Sequence, residues 1–76
     1  MIDDTKIEEA ILALLGVFAD RDGRTWKRYD FAVMEALAEK ELITDPRGRA
    51  ESVFLTEAGK ARAAELAARL FGKSKE

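Results

Sequence analysis

The sequence contains no cysteine and no histidine. The absence of cysteine excludes disulfide bonds, and the absence of both residues excludes zinc sites of the usual Cys/His type. The same two absences remove the commonest catalytic nucleophiles and bases, and the chain has no glycine-rich phosphate-binding loop. A chain of 76 residues is also too small to enclose a deep cleft with ease. We therefore predict no enzymatic activity, no cofactor and no metal site.

Basic residues are not in surplus. The chain has 13 Lys and Arg against 15 Asp and Glu, which gives a formal net charge of −2. Because proteins that bind nucleic acids usually carry a basic surplus, this balance argues against a nucleic-acid partner. The longest apolar run, residues 10–19, is well short of the roughly 20 residues that span a bilayer. The acidic Asp3-Asp4 start is unlike a secretory signal, so we expect a cytoplasmic protein without membrane contact.

The size of the chain predicts one domain, residues 1–76, with an ordered core over about 5–71. A hydrophobic content of 47% is too high for a disordered chain. Cores of such short chains rarely supply more than about 3–5 kcal/mol, and self-association is a common supplement. Since disulfides and zinc are excluded, association is the remaining way to stabilise this domain further.

The first predicted helix begins at Thr5, which can form a capping box with Glu8. Apolar residues then recur at helical spacing and predict the face that is buried in the core. They are Ile7, Ile11, Leu14 and Phe18. The polar segment 20–23 ends this helix. Its Asp20-x-Asp22-Gly23 pattern is better explained as a turn than as a calcium loop, because the further oxygen ligands are missing.

Two more helices are predicted downstream. The second follows an Asp30 N-cap and covers residues 31–40. The third follows a Thr56 N-cap and runs to Phe71, where Gly72 is a natural stop.

Short strands are predicted between the helices. Residues 24–27 form the first, and residues 42–44 and 52–55 form a hairpin around the turn sequence Asp-Pro-Arg-Gly at 45–48. The prediction is thus an α+β, winged-helix-like domain in the order α-β-α-β-β-α, with the hairpin as the wing.

This order resembles the winged-helix class. Leu42-Ile43 and the segment from Val53 to Gly59 resemble the wing and wing-to-helix junction of MarR- and PadR-type regulators, in which Gly-Leu-Ile leaves the recognition helix and Leu-Thr-x-x-Gly opens the next helix. Nearly all of residues 5–71 resembles a small bacterial domain family of unknown function. Its members share a Trp-Lys-x-aromatic-Asp segment, here residues 26–30. The resemblance implies a fold and no activity. Glu41 stands where the regulators usually have glycine, and no room remains for the first helix of a helix-turn-helix.

Two sets of residues are candidate nucleic-acid contacts. The outward face of the second helix carries Ala32, Glu35, Ala36 and Glu39, and carboxylates would be repelled by phosphates. The basic loop residues are Arg24, Lys27, Arg28, Arg47 and Arg49. In a winged-helix fold they could touch DNA phosphates without reading sequence, although neighbouring acidic residues favour ordinary surface charge.

The first and last helices each have a second apolar face. The residues concerned are Leu12, Gly16, Ala61, Ala64, Ala68 and Phe71. An amphipathic helix of a monomer normally needs one apolar face, so the second predicts either a homodimer interface or mutual packing of the two helices within one chain.

Our leading hypothesis is a non-catalytic module that homodimerises through these residues and contacts an unknown protein partner. The alternative is a DNA-binding regulator that makes mainly phosphate contacts through the loop and wing arginines. A small inhibitor or adaptor is a third class that the sequence does not separate from the first.

Overall fold

Helices and short strands alternate along the chain. The computed structural model describes residues 2–27 and 29–72. Within them, helix α1 spans Asp4–Phe18, strand β1 Arg24–Trp26, helix α2 Phe31–Glu39, strand β2 Ser52–Phe54 and helix α3 Glu57–Phe71. The predicted α+β class and the three helices are confirmed. The sheet of the described residues has two strands rather than the predicted three.

Strand β2 pairs with β1 rather than with the segment before it. The two strands are antiparallel, with Thr25 opposite Val53. The predicted hairpin with residues 42–44 is reduced to a single bridge between Ile43 and Leu55, supported by a bond from the Thr44 N–H to the Phe54 carbonyl. Pro46 has no N–H to donate, so the chain leaves the sheet after this bridge.

Capping side chains explain where the helices begin. The Asp30 carboxylate accepts the N–H of Val33, and the Thr56 hydroxyl accepts the N–H of Gly59, which confirms two predicted N-caps. Helix α1 differs, because the N-cap is Asp3, whose Oδ1 accepts the Thr5 N–H at 3.0 Å. The prediction of a Thr5 cap was wrong: Asp3 is the cap, and Thr5 lies in the first turn of α1, where its own N–H is the donor that the cap satisfies.

The core is aliphatic. Its buried members are Leu12, Ala13, Leu15, Met34, Leu37, Ile43, Val53, Leu55, Ala63 and Leu66. They come from all three helices, from β2, and from Ile43 and Leu55, which bridge beside it, so the core lies between the helices and the inner face of the sheet.

Helix α1 buries the second of its two apolar faces, which was predicted to form either a homodimer interface or a contact with the last helix of the same chain. Leu12 is 1% exposed, whereas Ile7 and Phe18, which were predicted to be buried, are 37% and 68% exposed. Ile11 and Leu14 are partly buried. The reason is Gly16, whose missing side chain lets α3 approach α1 at Ala63. Close packing of the two helices therefore selects the Leu12 side as the inner one.

The turn that follows α2 lies against the first turn of α3, backbone to backbone. A Cβ at Gly59 would lie 1.8 Å from the carbonyl oxygen of Leu42. The Thr56 hydroxyl donates to the Glu41 carbonyl at 2.7 Å. Glu41 itself has a φ of 62°, so the position where the regulators place glycine takes the left-handed conformation here as well.

Candidate interaction surfaces

The aromatic side chains lie outside the core. Of four Phe, one Trp and one Tyr, none belongs to the buried set. Five are at least 44% exposed, namely Phe18, Trp26, Phe31, Phe54 and Phe71. Tyr29 is partly buried and packs against the core. Exposed aromatic residues are enriched where proteins bind one another, so their position is a stronger functional signal than single exposed leucines would be.

The outer face of the sheet carries two of these rings. Because side chains alternate along a strand, the pairing of Thr25 with Val53 on the inner face leaves Trp26 and Phe54 on the outer face. The outer face of the short sheet thus carries two aromatic side chains, Trp26 and Phe54, beside the polar side chains of Arg24 and Ser52.

Two neighbouring grooves meet at this end of the sheet. Both are lined by Phe18, Thr25 and Trp26. The first, of about 420 Å³, is completed by Tyr29, and we call it the aromatic groove. The second, of about 350 Å³, adds Asp20, Arg24, Glu51 and Ser52.

The outward side of α3 is apolar and consists of three alanines and one phenylalanine. Ala61, Ala64, Ala68 and Phe71 are all exposed, while Ala63 and Leu66 on the inward side are buried. We call these four residues the α3 outer face. Helical periodicity places them on the side of α3 opposite to the core.

The other two residues of the predicted interface lie between helices of one chain. Leu12 is in the core, and Gly16 faces Ala63, where a Cβ would come within 2.6 Å of the Ala63 Cβ. For these two residues the structure shows the second of the two predicted alternatives, in which α1 and α3 of one chain pack on each other. Leu12 is therefore not a surface that a second copy could reach.

The predicted phosphate-binding residues are mostly engaged within the chain. Arg24 pairs with Asp20 at 3.4 Å, and Arg47 with Asp45 at 3.0 Å. The Lys27 ammonium donates to the carbonyl oxygens of Pro46 and Gly48. Arg49 is exposed on the same loop, and Arg28 lies outside the described residues.

The carboxylates that pair with these arginines, Asp20 and Asp45, are held in the ionised form by their hydrogen bonds. Hydrogen bonds from the Arg47 side chain and N–H lower the pKa of Asp45. The backbone N–H of Arg24 is the largest cause that lowers the pKa of Asp20. The Arg47 guanidinium shares a groove with Glu35 and Glu39 of α2. Its charge is therefore offset from several sides, which weakens the attraction to a phosphate backbone.

The Asp20–Gly23 segment is a turn. Asp20 Oδ1 accepts the N–H groups of Asp22 at 2.9 Å and Arg24 at 3.0 Å, and Gly23 has a φ of 87°. Across residues 2–27 and 29–72, no group of three or more acidic side chains is arranged to hold a metal ion. Among the helices of that same part of the chain, none has the length and hydropathy required to cross a membrane.

Comparison with known proteins shows to which family the chain belongs. Residues 3–73 match the profile of a domain of unknown function, DUF6429. The chain belongs to this family. The protein y4hR of Sinorhizobium fredii, described as uncharacterized, is 41% identical over 70 residues, which cover 92% of this chain and 95% of the relative. No solved structure matches the chain. The predicted membership of a domain family of unknown function is thus confirmed, and the resemblance to MarR- and PadR-type regulators is not.

Proposed function

We propose that this DUF6429 domain is a non-catalytic protein-interaction module that forms a homodimer through the α3 outer face. The observation that carries the proposal is the placement of Phe71, half exposed at the end of a row of exposed alanines. Of the six residues of the predicted interface, the proposal keeps the four on α3 and leaves out Leu12 and Gly16.

The chemistry of the α3 outer face suits a second helix. Alanine side chains let two helix axes approach closely, and a two-fold arrangement would bring the same face of each copy together. Fully burying a Phe side chain contributes roughly 1.5–3 kcal/mol. Because Phe71 is already half buried, each copy would gain about half of that, and a symmetric interface would gain it twice. That gain is large relative to the stability that a core of this size supplies.

A winged-helix-like arrangement is part of the proposal. The order of helices and strands supports it, as does the pairing of β1 with β2 while Ile43 bridges Leu55 on the other side. In such an arrangement the loop after α2 is the wing, and it carries Arg47 and Arg49.

Sedimentation equilibrium of matched variants tests the interface. Ala64→Glu introduces a charge into the α3 outer face, and desolvating an unpaired charge costs several kcal/mol. Ala58→Glu is the control, because Ala58 is exposed on the same helix but lies outside this face. We expect the native chain and Ala58→Glu to be dimers and Ala64→Glu to be a monomer with unchanged circular dichroism. Equal association of the two variants would exclude this interface.

Phosphate contacts by Arg24, Lys27, Arg28, Arg47 and Arg49 are the weaker candidate, given the pairing described above. A gel-shift series with random duplex DNA at low and moderate salt distinguishes the two functions. Retarded DNA at low salt that is released by added salt would support the regulator. We expect no retardation at either salt concentration.

A further inference from the structure

The aromatic groove has the composition of a site for an organic cation. Three of its four described lining residues are aromatic, namely Phe18, Trp26 and Tyr29. Aromatic faces attract cations through the ring quadrupole, and several rings around one space recognise alkylated ammonium groups in many proteins. With a volume of about 420 Å³, the groove has room for such a group.

Fixed charges beside the groove have the sign that a cation requires. Phe18 is the last residue of α1, and this helix has no basic residue in its last turn to offset the negative end of its dipole. The adjoining groove contributes the carboxylate of Glu51 and that of Asp20, which pairs with the Arg24 guanidinium at 3.4 Å. The described charged residues that line it therefore sum to one negative charge.

The polar groups of the groove select among cations. A primary ammonium has three N–H donors and a guanidinium has five, and each must find acceptors when it leaves water. The described lining offers few side-chain acceptors, since only Thr25 and Tyr29 carry an oxygen there. A trimethylammonium group has no N–H donor and exposes methyl groups, so it gains cation–π attraction without leaving donors unsatisfied.

We propose that the aromatic groove binds a trimethylammonium group, carried by a small molecule such as choline or by a trimethylated lysine side chain. This inference does not depend on the homodimer, because the α3 outer face contributes no residue to the groove.

Trp26 makes the test direct, because it is the one tryptophan of the chain and lines the groove. Its fluorescence is titrated with choline and with 3,3-dimethyl-1-butanol, the neutral carbon isostere of choline. We expect a saturable change with choline and at least about fivefold weaker binding of the isostere. Nα-acetyl-trimethyllysine amide, titrated against its unmethylated form, shows whether a side chain is also accepted. An absent or non-saturable response to choline, or equal binding of choline and its isostere, overturns the proposal.

Variants assign the response to the groove. Phe18→Leu keeps an apolar side chain at a position that is 68% exposed, so the fold is retained while a π face is lost. We expect about fivefold weaker choline binding. Phe31→Leu is the matched control, since Phe31 is 51% exposed and does not line the groove. Equal choline affinity of the two variants would overturn the assignment to this groove.

Discussion

Gly16 of α1 and Ala63 of α3 are in such close register that a methyl group on Gly16 would lie 2.6 Å from the Ala63 Cβ. Alanine is the better helix former by up to about 1 kcal/mol, but overpacking a core costs about 1–3 kcal/mol. We expect Gly16→Ala to destabilise the domain by about 1 kcal/mol in urea unfolding.

The companion measurement is a double-mutant cycle with Ala63→Gly. If the methyl groups collide, Ala63→Gly costs less in the Gly16→Ala background than in the native chain. Strict additivity of the two substitutions would show that α1 and α3 can separate freely at this point.

Gly59→Ala is expected to be far more damaging. The added Cβ would lie 1.8 Å from the Leu42 carbonyl oxygen, a backbone atom that cannot rotate away. Relief requires α3 to move off the turn, which would also break the 2.7 Å bond from the Thr56 hydroxyl to Glu41. We expect a loss of more than about 3 kcal/mol, or no folded protein. Ala58→Gly on the same turn of α3 is the control and should cost about 1 kcal/mol or less. A stable Gly59→Ala variant would contradict the close approach.

Glu41→Gly should stabilise the domain. Glu41 has a φ of 62° after the end of α2, a conformation that glycine adopts without the steric cost that a Cβ brings. Its carbonyl still accepts the hydrogen bond from the Thr56 hydroxyl, because Glu41 takes part in that bond through its backbone alone. We expect a gain of up to about 1 kcal/mol in urea unfolding. Glu41→Ala removes the same side chain but keeps the Cβ, so it should give no comparable gain.

Lys27 is expected to hold the loop of residues 45–50 rather than a phosphate. Its ammonium donates to the carbonyls of Pro46 and Gly48, and Pro46 is buried. Lys27→Met should cost about 1 kcal/mol and speed amide exchange over residues 47–50. Lys6→Met, at an exposed position of α1, is the control. Unchanged exchange in Lys27→Met would mean that these bonds do not hold the loop.

The starts of α2 and α3 could be predicted from the sequence, because they depend on residues that are close together in the chain. Asp30 and Thr56 could be recognised as N-caps because a cap bonds to donors two or three residues away. The predicted boundaries of α2 and α3 were correspondingly close to the observed ones.

The inner face of α1 could not be chosen from the sequence. Both of its faces are apolar, and the decision depends on Ala63, far along the chain, fitting against Gly16. The pairing of β1 with β2 is likewise a long-range contact that the local turn at 45–48 concealed. The aromatic groove was missed because Phe18 was assigned to the core.

The molar mass of the native chain in solution, followed by light scattering across a micromolar concentration series, is the most direct test of self-association. The α3 outer face predicts a mass that rises with concentration toward twice 8.5 kDa. A mass that stays at 8.5 kDa throughout the series would contradict the homodimer.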